Sequence, residues 1–163
     1  MDAPDPHALR QAFVNTSRSK AGSASLPSVW PPEHVQELDF IGWVDPKASR
    51  RAYLVVGPGT LDELVAVELR LPSASAVRRR QGMCDLCQTS DAPDGSLLMV
   101  AARAGSRGRS GDSVGLYVCA DFECSRRARE PLRTNQRSVS GMPDTRVPDL
   151  VGRVLGFVDR VRA

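Results

Sequence analysis

Histidine, lysine and aromatic residues are scarce in this sequence, and each scarcity closes a class of function. Among its 163 residues only His7 and His34 are histidines, and both lie far upstream of the cysteines. Catalytic zinc sites keep an open coordination position and often use histidine, so no metalloenzyme centre is expected. The zinc deaminase signature needs H-x-E and P-C-x-x-C. Here Val35-Gln36 follows His34, and Met83 precedes Cys84. His34 therefore reads as a surface or capping residue. Aromatics make up only 5% of the chain, too few to stack a run of single-stranded bases. Lys20 and Lys47 are the only lysines, and neither Gly57-Pro58-Gly59 nor the stretch 105–111 carries the lysine of a phosphate loop. No apolar run approaches the roughly 20 residues of a membrane span. The opening Met1-Asp2-Ala3-Pro4-Asp5-Pro6 is acidic and proline-rich. That is the wrong chemistry for a secretory signal, so a cytoplasmic protein is expected.

What the sequence does have is four cysteines in two close pairs, Cys84-Asp85-Leu86-Cys87 and Cys119-Ala120-Asp121-Phe122-Glu123-Cys124. In a reducing compartment such pairs are metal ligands more often than disulfides. A C-x2-C turn lets two sulfurs reach one ion, and zinc takes four thiolates tetrahedrally. The 31 residues between the pairs exceed the usual insert of a small zinc ribbon; a hairpin with a long loop accounts for them. A zinc ribbon would place its second pair on another hairpin. The helix-like Cys124-Ser125-Arg126-Arg127-Ala128-Arg129 favours a treble clef instead: knuckle, hairpin, then a cysteine pair at a helix start. Cys84, Cys87, Cys119 and Cys124 are thus expected to hold one structural Zn2+, with Arg126 and Arg127 offsetting its thiolate charge. Four free buried thiols are the plain alternative. A redox role for Cys84 and Cys87 leaves Cys119 and Cys124 unexplained. A closed four-thiolate site reads as scaffold or binding module, not as an enzyme, and implies no small-molecule substrate.

The length suits one domain, residues 1–163, and 41% apolar residues allow an ordinary core. Asp5-Pro6 starts a predicted helix with Leu9, Ala12, Phe13 and Thr16 on one face, ended near Gly22. Leu26 to Pro32 reads as an extended loop that Trp30 packs onto the core. With that helix it forms the N-terminal part, 1–30. Strand patterns cover 38–44, 51–56 and 64–71, so 38–75 reads as an antiparallel meander. Residues 64–71 alternate Leu64, Ala66, Glu68 and Arg70 against Val65, Val67, Leu69 and Leu71. The zinc subdomain spans 83–132, with strands 97–103 and 114–119, a flexible basic loop 105–112 and a helix 123–130. Residues 134–144 read as irregular. A C-terminal helix, 146–162, carries a stripe of Val147, Leu150, Val151, Val154, Leu155, Val158 and Val161. Gly152 and Gly156 weaken this helix or allow close packing against the sheet. The fold class is α+β: an antiparallel sheet, flanking N- and C-terminal helices and a four-cysteine treble clef.

Net charge is only +3, but it is unevenly placed. Residues 103–137 hold eight arginines against four acids, and Arg78-Arg79-Arg80 leads into the first cysteine pair. This is either a solvated surface in an arginine-rich composition or a contact surface for RNA or an acidic partner.

Several residues together resemble a known family. They are Phe13-Val14-Asn15-Thr16-Ser17, Leu38-Asp39-Phe40-Ile41-Gly42-Trp43 followed by Asp45-Pro46, Cys84-Asp85-Leu86-Cys87, and Tyr117-Val118-Cys119 through Cys124. The pattern resembles the elongation-factor-G-binding proteins of the fusidic-acid-resistance (FusB) type, specifically their C-terminal treble-clef zinc-finger domain, over roughly residues 8 to 160. The resemblance implies a cytoplasmic protein that binds zinc through the four cysteines. It further implies contact with elongation factor G and release of the factor from stalled, including fusidic-acid-stalled, ribosomes. The partner surface would lie on Arg107, Arg109, Tyr117, Arg126, Arg127 and Arg133. The resistance proteins carry a helical region before this domain, where this sequence has at most one helix. A housekeeping role in translation is therefore expected over dedicated resistance. The alternative is an RNA- or ribosome-binding zinc module that sets its arginines on ribosomal RNA, without contact to membranes.

Overall fold

A computed structural model describes residues 1–72, 82–131 and 143–163. Arg78 to Arg80, Arg133 and most of the stretch expected to be irregular lie outside the described residues. Five strands, β1 (Ile41–Val44), β2 (Arg51–Val56), β3 (Val65–Arg70), β4 (Ser96–Ala102) and β5 (Ser113–Cys119), form one antiparallel sheet in sequence order. The expected meander and α+β class are therefore found. β2 and β3 pair over their whole length, whereas β3 and β4 share a single register pair, Arg70 with Val100.

The N-terminal segment explains that gap. Asp5 caps the short helix α1 (Pro6–Gln11), accepting from the His7 and Ala8 N–H groups. The single predicted helix then breaks. The Ala66 N–H donates to the Ala12 carbonyl at 2.9 Å, and the Val14 N–H donates to the Ala66 carbonyl at 3.0 Å. Pairing with the open edge of β3 satisfies these backbone groups as well as a helix would, so periodicity alone misleads. Asn15 completes the seam. Its amide donates to the Glu68 and Ala102 carbonyls, and its oxygen accepts from the Glu68 N–H at 2.8 Å. One side chain thus stands in for a missing stretch of strand. Ser17 then caps a second short helix, α2 (Arg18–Gly22).

Strands β1 to β3 are covered on both faces, whereas β4 and β5 leave Leu98 and Gly115 open on one. On one face Phe13, Trp43, Tyr53 and Trp30 pack edge to face or tilted, with Leu9, Val55 and Ala66. Trp30 packs onto the core as expected. The N-terminal cover also explains why β3 does not expose its polar row: Ala66 and Glu68 are buried, and only Arg70 is open. On the other face Leu54, Val67, Leu69 and Met99 meet the C-terminal helix and the inner side of the clef.

One loop and one strand start depart from expectation. Residues 105–112 are not a flexible loop but begin with a helical turn, α3 (Gly105–Arg109). The Arg107 guanidinium bonds Asp112 and the Ala163 carbonyl, and the Ala104 N–H reaches the Val161 carbonyl at 2.7 Å. These contacts anchor the turn to the chain's last helix. β1 starts three residues later than predicted, because Asp39 is claimed by the clef helix α4 (Cys124–Arg129). The last helix, α5 (Arg146–Arg162), matches its predicted span. Its buried face comprises Leu150, Val154, Phe157, Val158 and Val161. Phe157 was missing from the predicted stripe. Each such side chain contributes roughly 1.5–3 kcal/mol when fully buried. Gly152 and Gly156 both face open space, so neither serves close packing.

Candidate metal centre

The first cysteine pair sits on a tight turn. The Gln88 N–H donates to the Cys84 carbonyl, and the Cys84 N–H to the Thr89 carbonyl, both at 2.9 Å. Gln88 takes the left-handed conformation, φ 57°, that folds the turn back. Asp85 fastens the turn to β5: its N–H donates to the Tyr117 carbonyl, and its carboxylate accepts from the Tyr117 N–H, each at 2.7 Å. The second pair spans the end of β5 and the first residue of α4. Between them Phe122 is also left-handed, φ 58°, and its N–H returns to the Cys119 carbonyl. Knuckle, hairpin and helix start therefore converge as the cysteine spacing predicts.

The four sulfurs all lie within 4.8 Å of one another. Cys84 and Cys124 are 3.7 Å apart, Cys87 and Cys119 3.6 Å. A tetrahedron with zinc–sulfur bonds near 2.3 Å has edges of about 3.8 Å, so the donor set fits one ion with four thiolates. Cys84, Cys119 and Cys124 are fully buried and Cys87 is half-buried. Among the described residues this is the one cluster with metal-ligand geometry. It is arranged to hold a single structural zinc. Without a metal, the crowded thiols cannot all ionise. Cys84 and Cys87 are pushed down by hydrogen bonds from Cys119 and Cys124. Cys124 is pushed up by the bonds it gives to Cys119 and Cys84. Cys119 is eased down by Cys124, but Cys84, Cys87 and burial outweigh this and leave it raised.

The arginines around the site separate into different roles. Arg127 has a side chain only 8% exposed and forks onto Asp121 at 2.8 and 2.5 Å. Asp121 raises its pKa, and the Cys119 and Cys124 sulfurs add to that pull. Arg127 is thus an inner partner of the metal centre. In return it holds the Asp121 carboxyl below its usual value. The pair's stabilisation is therefore complete above about pH 4 and is lost as pH falls through the lowered value. Arg126 instead lies on the surface between Glu123 and Glu130. Arg107 is tied to Asp112 and Ala163. Arg109 is exposed with no ion-pair partner among the described residues, and Tyr117 is half-buried.

Sequence reading missed the link that docks the clef helix to the sheet. Arg129 grips the buried Asp39 at 2.6 and 2.9 Å, and the Asp39 N–H donates to the Ser125 hydroxyl. The only available signal was the place of Asp39 in a recognisable motif. Replacing Arg129 with alanine strands a buried carboxylate. Removing one partner of a fully buried pair costs about 3–5 kcal/mol. Arg129 keeps 35% of its side chain in water, so a loss on the order of 2 kcal/mol is expected after screening. Urea denaturation measures it, and an unchanged midpoint would refute the role.

Neither the curated proteins nor the solved structures returned a match. The family description "FBP C-terminal treble-clef zinc-finger" matches residues 8–161. That span takes in the Asn15 seam, all four cysteines and nearly all of α5, the same extent as the FusB-type resemblance. The chain belongs to the FBP C-terminal treble-clef zinc-finger family.

Proposed function

We propose that this protein is a cytoplasmic, non-enzymatic module that binds elongation factor G and promotes its release from ribosomes. The observation that carries the reading is an exposed Leu98 beside a half-buried Tyr117 on a hairpin fixed by the zinc centre, in a chain of this family. Leu98 is 39% exposed and lies directly across from Tyr117 in the register of β4 and β5. Gly115, exposed on the same face, keeps that surface flat. The bonds from Asp85 to Tyr117 bring the Cys84 turn alongside, with Met83 59% exposed just before it. Exposed apolar side chains on a rigid support suit a protein partner, and aromatic anchors dominate such interfaces. Release follows by linkage if the module binds the free factor more tightly than the ribosome-held one.

Calorimetric titration of the zinc-loaded protein into elongation factor G tests the reading. Saturable one-to-one binding is expected. The pair Leu98→Asp and Tyr117→Asp should weaken it by at least about tenfold, the scale of one lost anchor residue. No heat and no co-elution with intact, zinc-loaded protein would overturn it.

A further inference from the structure

Arg107, Arg126 and Arg127 are engaged in ion pairs near the clef, yet other cations stand open elsewhere. Lys20 in α2, Arg50 just before β2, Arg70 at the end of β3 and Arg109 at the end of α3 are all exposed. None has an ion-pair partner among the described residues. They line two adjoining cavities of about 430 and 320 Å³ that share Lys20, Glu68 and Arg70. Together these make an open trough over the place where β3 and β4 diverge and Asn15 fills the seam. The single acid lining it, among the described residues, is Glu68. That carboxylate is buried and accepts from the Thr16 hydroxyl at 3.0 Å and from Arg51 at 3.3 Å. The four open cations are therefore not neutralised within the trough.

We propose that this trough binds the phosphodiester backbone of a single RNA strand. Cations from four separate segments converge on one channel whose one acid, Glu68, is buried and already engaged by Arg51 and Thr16, whereas a merely solvated surface mixes its signs. Guanidinium forks match phosphate oxygens bidentately. The lining offers no aromatic side chain, and its apolar side chains are only Val14, Leu71 and Ala102. A protein partner would find no anchor pocket there, and bases would find nothing to stack on. What remains is a linear, sequence-independent contact with repeating charge. The trough extends beyond the surface proposed for elongation factor G. Ala102 lines it, and Leu98 lies four residues away on the same strand, about 13 Å at strand spacing. A factor and a neighbouring RNA strand can thus be engaged side by side.

The test is fluorescence anisotropy of a short labelled oligouridine with the zinc-loaded protein across a salt series. Four phosphate contacts predict a slope of log affinity against log salt of about −3 for a single strand. The double variant Arg50→Ala with Arg70→Ala removes two open cations whose side chains hold no structure together. It should bind at least tenfold more weakly, with a slope of about −1.4. Arg126→Ala, outside the trough, should leave binding unchanged, as should the Leu98 and Tyr117 variants. Elongation factor G binding should persist in the trough variant, so either reading can fail alone. Absence of binding at low salt would overturn the proposal, as would equal affinity in the trough variant. Displacement of the RNA by polyglutamate at matched charge would assign the trough to an acidic protein and also overturn it.

Discussion

Removing the zinc with a chelator, or replacing Cys119 with serine, is expected to unfold the clef while the opposite face of the sheet holds. In small zinc peptides metal binding supplies an apparent 10–16 kcal/mol or so of folding energy. Here Cys84, Leu86, Cys119, Phe122, Cys124 and Ala128 belong to the same apolar cluster as the buried face of α5. Losing the ion therefore loosens α5 as well as the knuckle. The second cluster, with Trp30, Trp43, Tyr53 and Leu9, lies across the sheet and contains no ligand. Hydrogen exchange should accordingly show lost protection in β5, α4 and α5, with more retained in β2. The ligands must be thiolates to hold zinc, so protons compete with it and zinc release is expected as pH falls. Loading the metal-free protein should release protons, because Cys119 and Cys124 are pushed up when no ion is present. A Cys119→Ser protein with unchanged zinc content and protection would refute this account.

The metal centre was legible because its chemistry is local. Two cysteine spacings and a helix-like run after Cys124 specify a turn, a strand end and a helix start. β2 and α5 were legible for a similar reason, since a run such as Ala52-Tyr53-Leu54-Val55-Val56 or a long apolar stripe has few alternative readings. The errors fall where distant residues compete for the backbone. Residues 12–17 have a helical pattern, but the open edge of β3 takes Ala12 and Val14, and Asn15 bridges strands 53 and 87 positions away. Asp39 looks like the start of a strand until Arg129, 90 residues on, claims it. Arginine counts likewise could not separate the cations that are paired from those that are open. Arg127 has Asp121 six residues before it, and Arg126 has acids three residues before and four after. Arg70 and Arg109 have none among the described residues, and that difference exists only in three dimensions.

Gly42 to alanine is expected to destabilise the protein even though glycine is a poor strand residue. An added Cβ would stand 2.1 Å from Phe122 Cδ1 and 2.5 Å from its Cγ. A flexible side chain would swing away, but Phe122 is buried and its backbone is left-handed between two ligand cysteines. The ring can yield only if the loop from Cys119 to Cys124 yields with it. Overpacking of this kind costs about 1–3 kcal/mol. The entropy gained by replacing glycine offsets at most about 1 kcal/mol of that. Because the strained loop carries two ligands, part of the loss should appear as weaker zinc binding, about tenfold for each 1.4 kcal/mol. The double variant Gly42→Ala with Phe122→Ala separates this clash from a general defect of β1. Removing the ring relieves the contact, so the two substitutions together should be less damaging than the sum of the singles. Chelator competition gives the zinc affinity, and thermal melts give the stability of all four proteins in the cycle. A Gly42→Ala protein as stable as the parent, or strictly additive losses, would show that the sheet and the metal loop are not coupled through this contact.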